Sequence, residues 1–386
     1  MRRIYMDHSA TTPVAPEVLE AMLPYFSDKF GNASSLHSFG LEAKEALEAS
    51  REKVATLLGA KPEEIIFTSG GTESDNLALK GIAYRNREKG KHIITTNIEH
   101  PAILEACRKL ETQGFEVTYL PVTSEGLVDP AALEKAIRND TILISVMHAN
   151  NEIGTIQPIE EIGRLAAKKD IYFHTDAVQT AGKIPISVDK LGVDLLSLSA
   201  HKLYGPKGVG ALYIRRGTRI ESIVQGGGHE RALRSGTENI SGIVGLARAA
   251  ELSMDTMSEE ANVLTGLRDR LAAQVLERVK DCWINGTMAR GLRLPSNLNF
   301  SFRYVEGESL LLFLDSKGIA VSTGSACSSH KLEPSHVLRA LGLKPEECHG
   351  SLRITMGRSN TEEDVDYVSE SIVEAVERFR AISAIR

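Results

Sequence analysis

A chain of 386 residues exceeds what one ordinary hydrophobic core organises, so two domains are expected. Its 42% hydrophobic and 25% charged residues are globular proportions, and a net charge of −6 with both signs mixed leaves no basic block for nucleic acid and no acidic tail. The four cysteines (Cys107, Cys282, Cys327, Cys348) are far apart with no Cys-x-x-Cys pair, which argues against a zinc site or disulfide framework and for a reducing compartment. Arg2 and Arg3 precede no apolar run, and the longest greasy stretch, residues 310–314, is far too short to span a bilayer. A cytoplasmic protein without membrane or nucleic-acid partners is the expectation.

In chain order, short β-branched runs alternate with longer amphipathic segments. Residues 64–68 predict a strand and 74–87 a helix; 92–95 and 101–113 repeat the pattern, as do 115–121 and 130–137. A buried strand at 142–147, a helix at 158–169 and strands at 171–174, 193–198 and 211–215 follow. Repeated β-then-α order implies an α/β protein with a mostly parallel sheet covered on both faces, where ligands bind beyond the carboxyl ends of the strands. The alternation stops near residue 245. A long helix at 243–279, an alternating strand at 296–302, a helix at 308–317, a strand at 352–356 and a final helix at 362–380 describe a smaller α+β unit. The expected division is a large domain over 16–255 and a small one over 1–15 plus 256–386.

Polar clusters close successive strands. Thr68-Ser69-Gly70-Gly71-Thr72-Glu73-Ser74 can curl its backbone N–H groups around one anion at a helix start, though an ordinary N-cap turn reads the same way. No Walker lysine follows, so it is not a nucleotide P-loop. Asn97-Ile98-Glu99-His100-Pro101 places a histidine that can stack on a planar cofactor or move protons, and Asn150-Asn151-Glu152 offers amides to a substituent of the cofactor ring. His174-Thr175-Asp176-Ala177-Val178-Gln179 carries an aspartate able to hold a pyridine nitrogen protonated; a capping aspartate or a His-x-Asp metal pattern are the rival readings. Ser197-Leu198-Ser199-Ala200-His201-Lys202 delivers one lysine amine to a glycine-rich turn, a candidate Schiff-base residue for pyridoxal phosphate (PLP).

Two features lie in the C-terminal part. Cys327 sits in Ser322-Thr323-Gly324-Ser325-Ala326-Cys327-Ser328-Ser329, where small residues predict an exposed loop over about 322–333 rather than core. Arg353 interrupts an apolar strand and calls for a carboxylate partner, unless it occupies the strand's solvent face.

Together with Ala10-Thr11-Thr12-Pro13, Gly31-Asn32-Ala33-Ser34-Ser35-Leu36-His37, Arg234-Ser235-Gly236-Thr237-Glu238-Asn239 and Gly324-Ser325-Ala326-Cys327, these clusters closely resemble the cysteine desulfurases of the NifS/IscS type, among the fold-type I PLP-dependent transferases. The resemblance implies a large domain with a seven-stranded-type sheet, L-cysteine as substrate, alanine as product, and sulfur transferred to Cys327 as a persulfide for iron–sulfur cluster assembly. It assigns Lys202 to the PLP aldehyde, Asp176 to the ring nitrogen, Gln179 to the ring oxygen and His100 to the ring face. Gly71, Thr72, Ser199 and His201 would surround the phosphate, with Thr237 supplied by the second subunit of a homodimer. Asn151 and Arg353 would hold the substrate carboxylate, and an iron–sulfur scaffold or other acceptor protein would take the sulfur. No metal is implied. His100 is the expected agent for shifting the Cys327 thiol, whose ordinary pKa of about 8.5 leaves only a few per cent thiolate at neutral pH.

Departures are few: His8-Ser9 replaces the more usual asparagine pair, His229 stands where glutamine is common, and the sequence ends at Arg386 without the extension some members use for docking. An aminotransferase, a cysteine or selenocysteine β-lyase in which Cys327 is incidental, and a PLP-free interaction protein are the competing readings.

Overall fold

The computed structural model describes residues 3–323 and 334–382. Twelve strands are present among them: β1 (Ile4–Tyr5), β2 (Ile65–Thr68), β3 (His92–Thr96), β4 (Glu116–Leu120), β5 (Thr141–Ser145), β6 (Tyr172–Asp176), β7 (Leu195–Ser199), β8 (Gly210–Ile214), β9 (Cys282–Ile284), β10 (Asn297–Phe302), β11 (Ile319–Ala320) and β12 (Ser351–Thr355). Seven form one sheet in the order β2-β8-β7-β6-β5-β3-β4, with β8 alone running against its neighbours.

The apolar runs are continuous because both faces of this sheet are covered. Ile65 and Phe67 enter one core with Leu196 and Tyr213; Ile66 enters the opposite core with Leu195 and Leu212. Successive side chains thus leave on opposite faces, and both meet helices.

A separate core surrounds the antiparallel sheet β12-β10-β9. Phe300 and Phe302 on β10 stack there at 5.7 Å between ring centroids. The N-terminal residues join this core: β1 pairs in parallel with β11, and Ile4 and Met6 are buried in it. The helix Ile240–Arg278 is one continuous element that serves both cores, through Ile240, Ile243 and Leu246 at one end and Leu264, Leu271 and Val275 at the other.

Among the elements that differ from expectation are two helices near the site and its support. The helix predicted over 74–87 is Gly71–Asn86, because the glycine turn is itself the first helical turn after Gly70. The helix Ser38–Leu58 has no counterpart in the sequence reading: much of its buried face is Gly40, Ala43, Ser50 and Ala55, small residues that blur the hydrophobic period but allow close packing on Ile240–Arg278. No helix among the described residues is long and apolar enough to cross a membrane.

The carboxyl ends of β2, β3, β5, β6 and β7 share one edge of the large sheet, and the polar clusters read from the sequence all follow those ends.

Candidate active site at the strand ends

At that edge lies a cavity of about 480 Å³ lined by Gly71, Thr72, His100, Asn151, Asp176, Gln179, Ser199, His201, Lys202 and Arg353, together with Ser9, Ala10, Asp75, Met147, Glu152, Val178 and His336. Every described residue picked from the sequence as a site candidate is here except Thr237, which is exposed on the surface elsewhere in the chain. Cys327 lies outside the described residues.

After Ser199 closes β7, a short turn over Ala200–Lys202 turns the lysine into the cavity's wall. The N-terminal segment fixes this turn from the other side. Thr12 donates its N–H and hydroxyl to the His201 carbonyl (2.9 and 3.1 Å), while Lys202 Nζ donates to the carbonyls of Ser9 and Ala10, the latter at 2.7 Å. His201 Nδ1 meets the Thr11 hydroxyl at 3.1 Å, and burial with Lys202 nearby lowers its pKa to about 4, so its ring is neutral.

Asp176, at the end of β6, accepts from the Val178 N–H at 2.9 Å; burial pushes its pKa up to about 6 against the attraction of Lys202. Two further buried acids stand behind it. Glu99 accepts at Oε1 from the Thr96 hydroxyl (2.8 Å) and the Met147 N–H (2.9 Å), and burial raises it to about 8. Asp75 is raised well above the usual carboxylate range by burial and by Asp176. Like charges in one desolvated site cannot all ionise, so Glu99 and Asp75 are the neutral members and Asp176 the ionised one at neutral pH. His174 is spent within the sheet: its ring nitrogens meet the hydroxyls of Ser145 (2.9 Å) and Ser197 (3.0 Å), which accounts for the His-x-Asp spacing. No group of His, Cys, Asp and Glu suited to a metal ion occurs among the described residues.

The glycine turn leaves its helix start open. Gly70 has φ +152°, a conformation other residues rarely adopt, and no side chain caps the helix. A Cβ on Gly71 would lie 2.7 Å from the Val178 side chain. The N–H groups of the first turn thus face the cavity beside Thr72, Ser199 and His201, a small anion's coordination set.

His100 caps its own helix: Nδ1 accepts from the Ala102 N–H at 3.1 Å, and burial with Lys202 nearby lowers the ring to about 4. A neutral imidazole accepting at Nδ1 carries its proton on Nε2. It is therefore a hydrogen-bond donor without charge whose ring can stack on a planar group; Cys327, the thiol it is expected to shift, lies outside the described residues.

Arg353 is 2% exposed, so the solvent-face alternative is excluded. Its partner is Asp7, whose Oδ1 lies 2.8 Å from Nη2, and Nη1 reaches the Asn151 carbonyl at 3.4 Å. Its Nε is buried with no partner among the described residues.

The class-V aminotransferase family model matches residues 4–368. The cysteine desulfurase IscS of Dictyoglomus turgidum is 58% identical over 99% of this chain and 96% of its own length. This chain belongs to the class-V aminotransferase family, among its cysteine desulfurases. A solved NifS-like protein superimposes with a TM-score of 0.92 at 44% identity, covering 98% of this chain and all of that one. A structure described as SspA in complex with cysteine gives 0.82 at 40% identity over 93% of this chain and all of that one.

Members of this family depend on PLP, and the donor set fits it. An ionised acid for the pyridine nitrogen, an amine for the aldehyde and an open helix start for the phosphate share one cavity. Sequence reasoning missed Asp75, Glu152, His336 and Asp7. Asp75 and Glu152 had a signal, since the first lies one helical turn beyond Thr72 and the second follows Asn151; His336 and Asp7 arrive from distant segments and had none.

Proposed function

We propose that the chain is a PLP-dependent cysteine desulfurase that converts L-cysteine to L-alanine and keeps the sulfur as a persulfide on Cys327. The observation that carries this reading is the single cavity joining Lys202, Asp176 and the open helix start to a buried arginine with an unmatched N–H. Bound PLP supplies an electron sink for charge developing at the substrate Cα.

Arg353 and Asn151 hold the substrate carboxylate, and the Nε–H of Arg353 is the donor that remains to be matched. Lys202 takes the Cα proton, its amine held at the mouth of β7 by the Ser9 and Ala10 carbonyls. Asp176 keeps its negative charge against the ring nitrogen because its buried neighbours stay protonated. Gln179 would donate to the ring oxygen, and His100 would cover the ring face and offer an Nε2–H hydrogen bond.

The Cys327 thiolate then attacks the substrate sulfur. An S–S bond forms as the Cβ–S bond breaks and the electron pair goes to Cβ; a proton adds at Cβ, and Lys202 returns to Cα the proton it took, which completes alanine. Cysteine plus an enzyme thiol thus gives alanine plus an enzyme persulfide, with no external oxidant.

The family resemblance and the exposed position of Thr237, away from its own chain's cavity, support a homodimer in which each subunit lends Thr237 to the other. An acceptor protein such as an iron–sulfur scaffold takes the sulfur. The domain division proposed from the sequence, 16–255 against 1–15 plus 256–386, runs through the helix that serves both cores.

Product analysis tests this reading: with L-cysteine and a thiol reductant, alanine should form in step with sulfide. Pyruvate and ammonia instead would mean a β-lyase, and the desulfurase reading would fall.

A further inference from the structure

Behind Gln179 stands Lys183, one turn further along the segment that leaves β6. Backbone bonds from Ala181 to the Ala177 carbonyl (2.9 Å) and from Lys183 to the Thr180 carbonyl (2.9 Å) wind this segment, and Gly182 takes φ +75° in a space where a Cβ would lie 2.9 Å from Ser253 Oγ. The winding brings Lys183 Nζ to 3.3 Å from Gln179 Oε1. On the other side, Gln179 Nε2 donates to the Ser9 carbonyl at 3.1 Å, the same carbonyl that accepts from Lys202.

An amide side chain can be reversed with little change of shape, exchanging a donor for an acceptor. Here both ends are specified. A backbone carbonyl only accepts, so Ser9 selects the nitrogen; an amine supplies an N–H, so Lys183 selects the oxygen. With one Nε2 hydrogen spent on Ser9, the second belongs to the cavity that Gln179 lines. A reversed amide would present an oxygen to the Ser9 carbonyl and another acceptor to an anionic ring oxygen.

Other charged groups leave this division of labour intact. Glu260 and His8 share with Lys183 a small cavity of about 20 Å³, room for one water, that Gln179 does not line. Tyr204, which lines the same small cavity, and His201, Lys202 and Arg353 are the remaining charged or titratable neighbours. Glu260 is itself bound by Arg358 at 2.6 Å, and Arg353 by Asp7. Gln179 Oε1 is the hydrogen-bond acceptor found for Lys183.

We infer that Lys183 is a positioning residue: it holds the Gln179 amide with its N–H toward the cofactor's ring oxygen and its carbonyl away. This rests on the reading of Gln179 as a cofactor contact. It requires Lys183 to act only through Gln179, which a general structural role would not.

The test is a double-mutant cycle on the full-length chain, read by the visible absorbance of bound PLP and by the PLP dissociation constant. Lys183→Met should shift the absorbance and weaken PLP about three- to tenfold, the range of one neutral hydrogen bond. In a Gln179→Ala background the same substitution should change affinity less than about twofold, because the bond it breaks is already gone. Lys183→Arg, which keeps an N–H donor, should hold the wild-type absorbance. Equal weakening by Lys183→Met in both backgrounds would overturn the inference, as would no change in the wild-type background. If Gln179→Ala itself left absorbance and affinity unaltered, the cofactor reading of Gln179 would fall first and the inference with it. Thermal unfolding of each variant identifies any that does not fold, in which case Lys183→Ala takes the place of Lys183→Met in the same cycle, with the same outcomes.

Discussion

Arg293 and Arg353 are both buried around the small sheet, and they differ in one respect. Arg293, 3% exposed, spends its guanidinium on protein oxygens: Nε to the Asn297 carbonyl (2.8 Å), Nη1 to the carbonyls of Asn285 and Thr287 (3.0 Å each) and Nη2 to Asn297 Oδ1 (3.2 Å). Burial, with Arg268 nearby, pulls its pKa down to about 9. Arg353, equally buried on β12, pairs with Asp7 and lines the cavity with Nε unmatched. Burial of a charge therefore does not mark a site. Unspent hydrogen-bonding capacity beside a cavity does, since a satisfied donor set is structure and an unsatisfied one waits for a ligand.

The largest effect at the site belongs to Lys202. Lys202→Ala should lower alanine formation by about 10²–10⁴-fold through lost proton transfer and remove the cofactor's normal visible absorbance. Retained turnover would mean that the cavity is not where the chemistry occurs.

Next comes Arg353→Lys, which keeps a charge for Asp7 but removes the Nε–H. The KM for L-cysteine should rise roughly 10–100-fold, the range of a charged hydrogen bond, with little change in melting temperature. A fall in stability without a change in KM would make Arg353 a second Arg293. Conversely, Arg293→Met should cost about 1–3 kcal/mol in denaturant unfolding by stranding buried carbonyls, while the folded fraction keeps its KM.

The smallest effect concerns charge sharing among the buried acids. Glu99 holds its proton up to about pH 8 in the folded protein, well above its unfolded value, so its contribution to stability is greatest at low pH and is lost as pH rises from about 4.5 through 8. Glu99→Gln cannot titrate. Its stability relative to wild type should therefore improve from pH 5 to pH 8; parallel profiles would show that Glu99 is ionised in the fold.

Legibility in the sequence follows the range of the contacts. Gly71, Asp176 and Lys202 were readable because each follows a short apolar run, and the end of a parallel strand is where a ligand is met. The partner of Arg353 was not, because Asp7 lies 346 positions away and nothing near either residue names the other. The tautomer of His100 depends on a bond to its own helix start, and the protonation of Glu99 depends on burial; composition reports neither. The helix Ser38–Leu58 escaped because small residues make up much of its buried face.

The most direct measurement is single-turnover alanine formation from L-cysteine by the wild type and by Cys327→Ala, with cofactor absorbance recorded for both. The account predicts one alanine and one enzyme-bound persulfide sulfur per wild-type site, and a variant that keeps the absorbance but forms no alanine. Alanine from Cys327→Ala at the wild-type rate would contradict it, since the sulfur would then leave without the cysteine assigned to receive it.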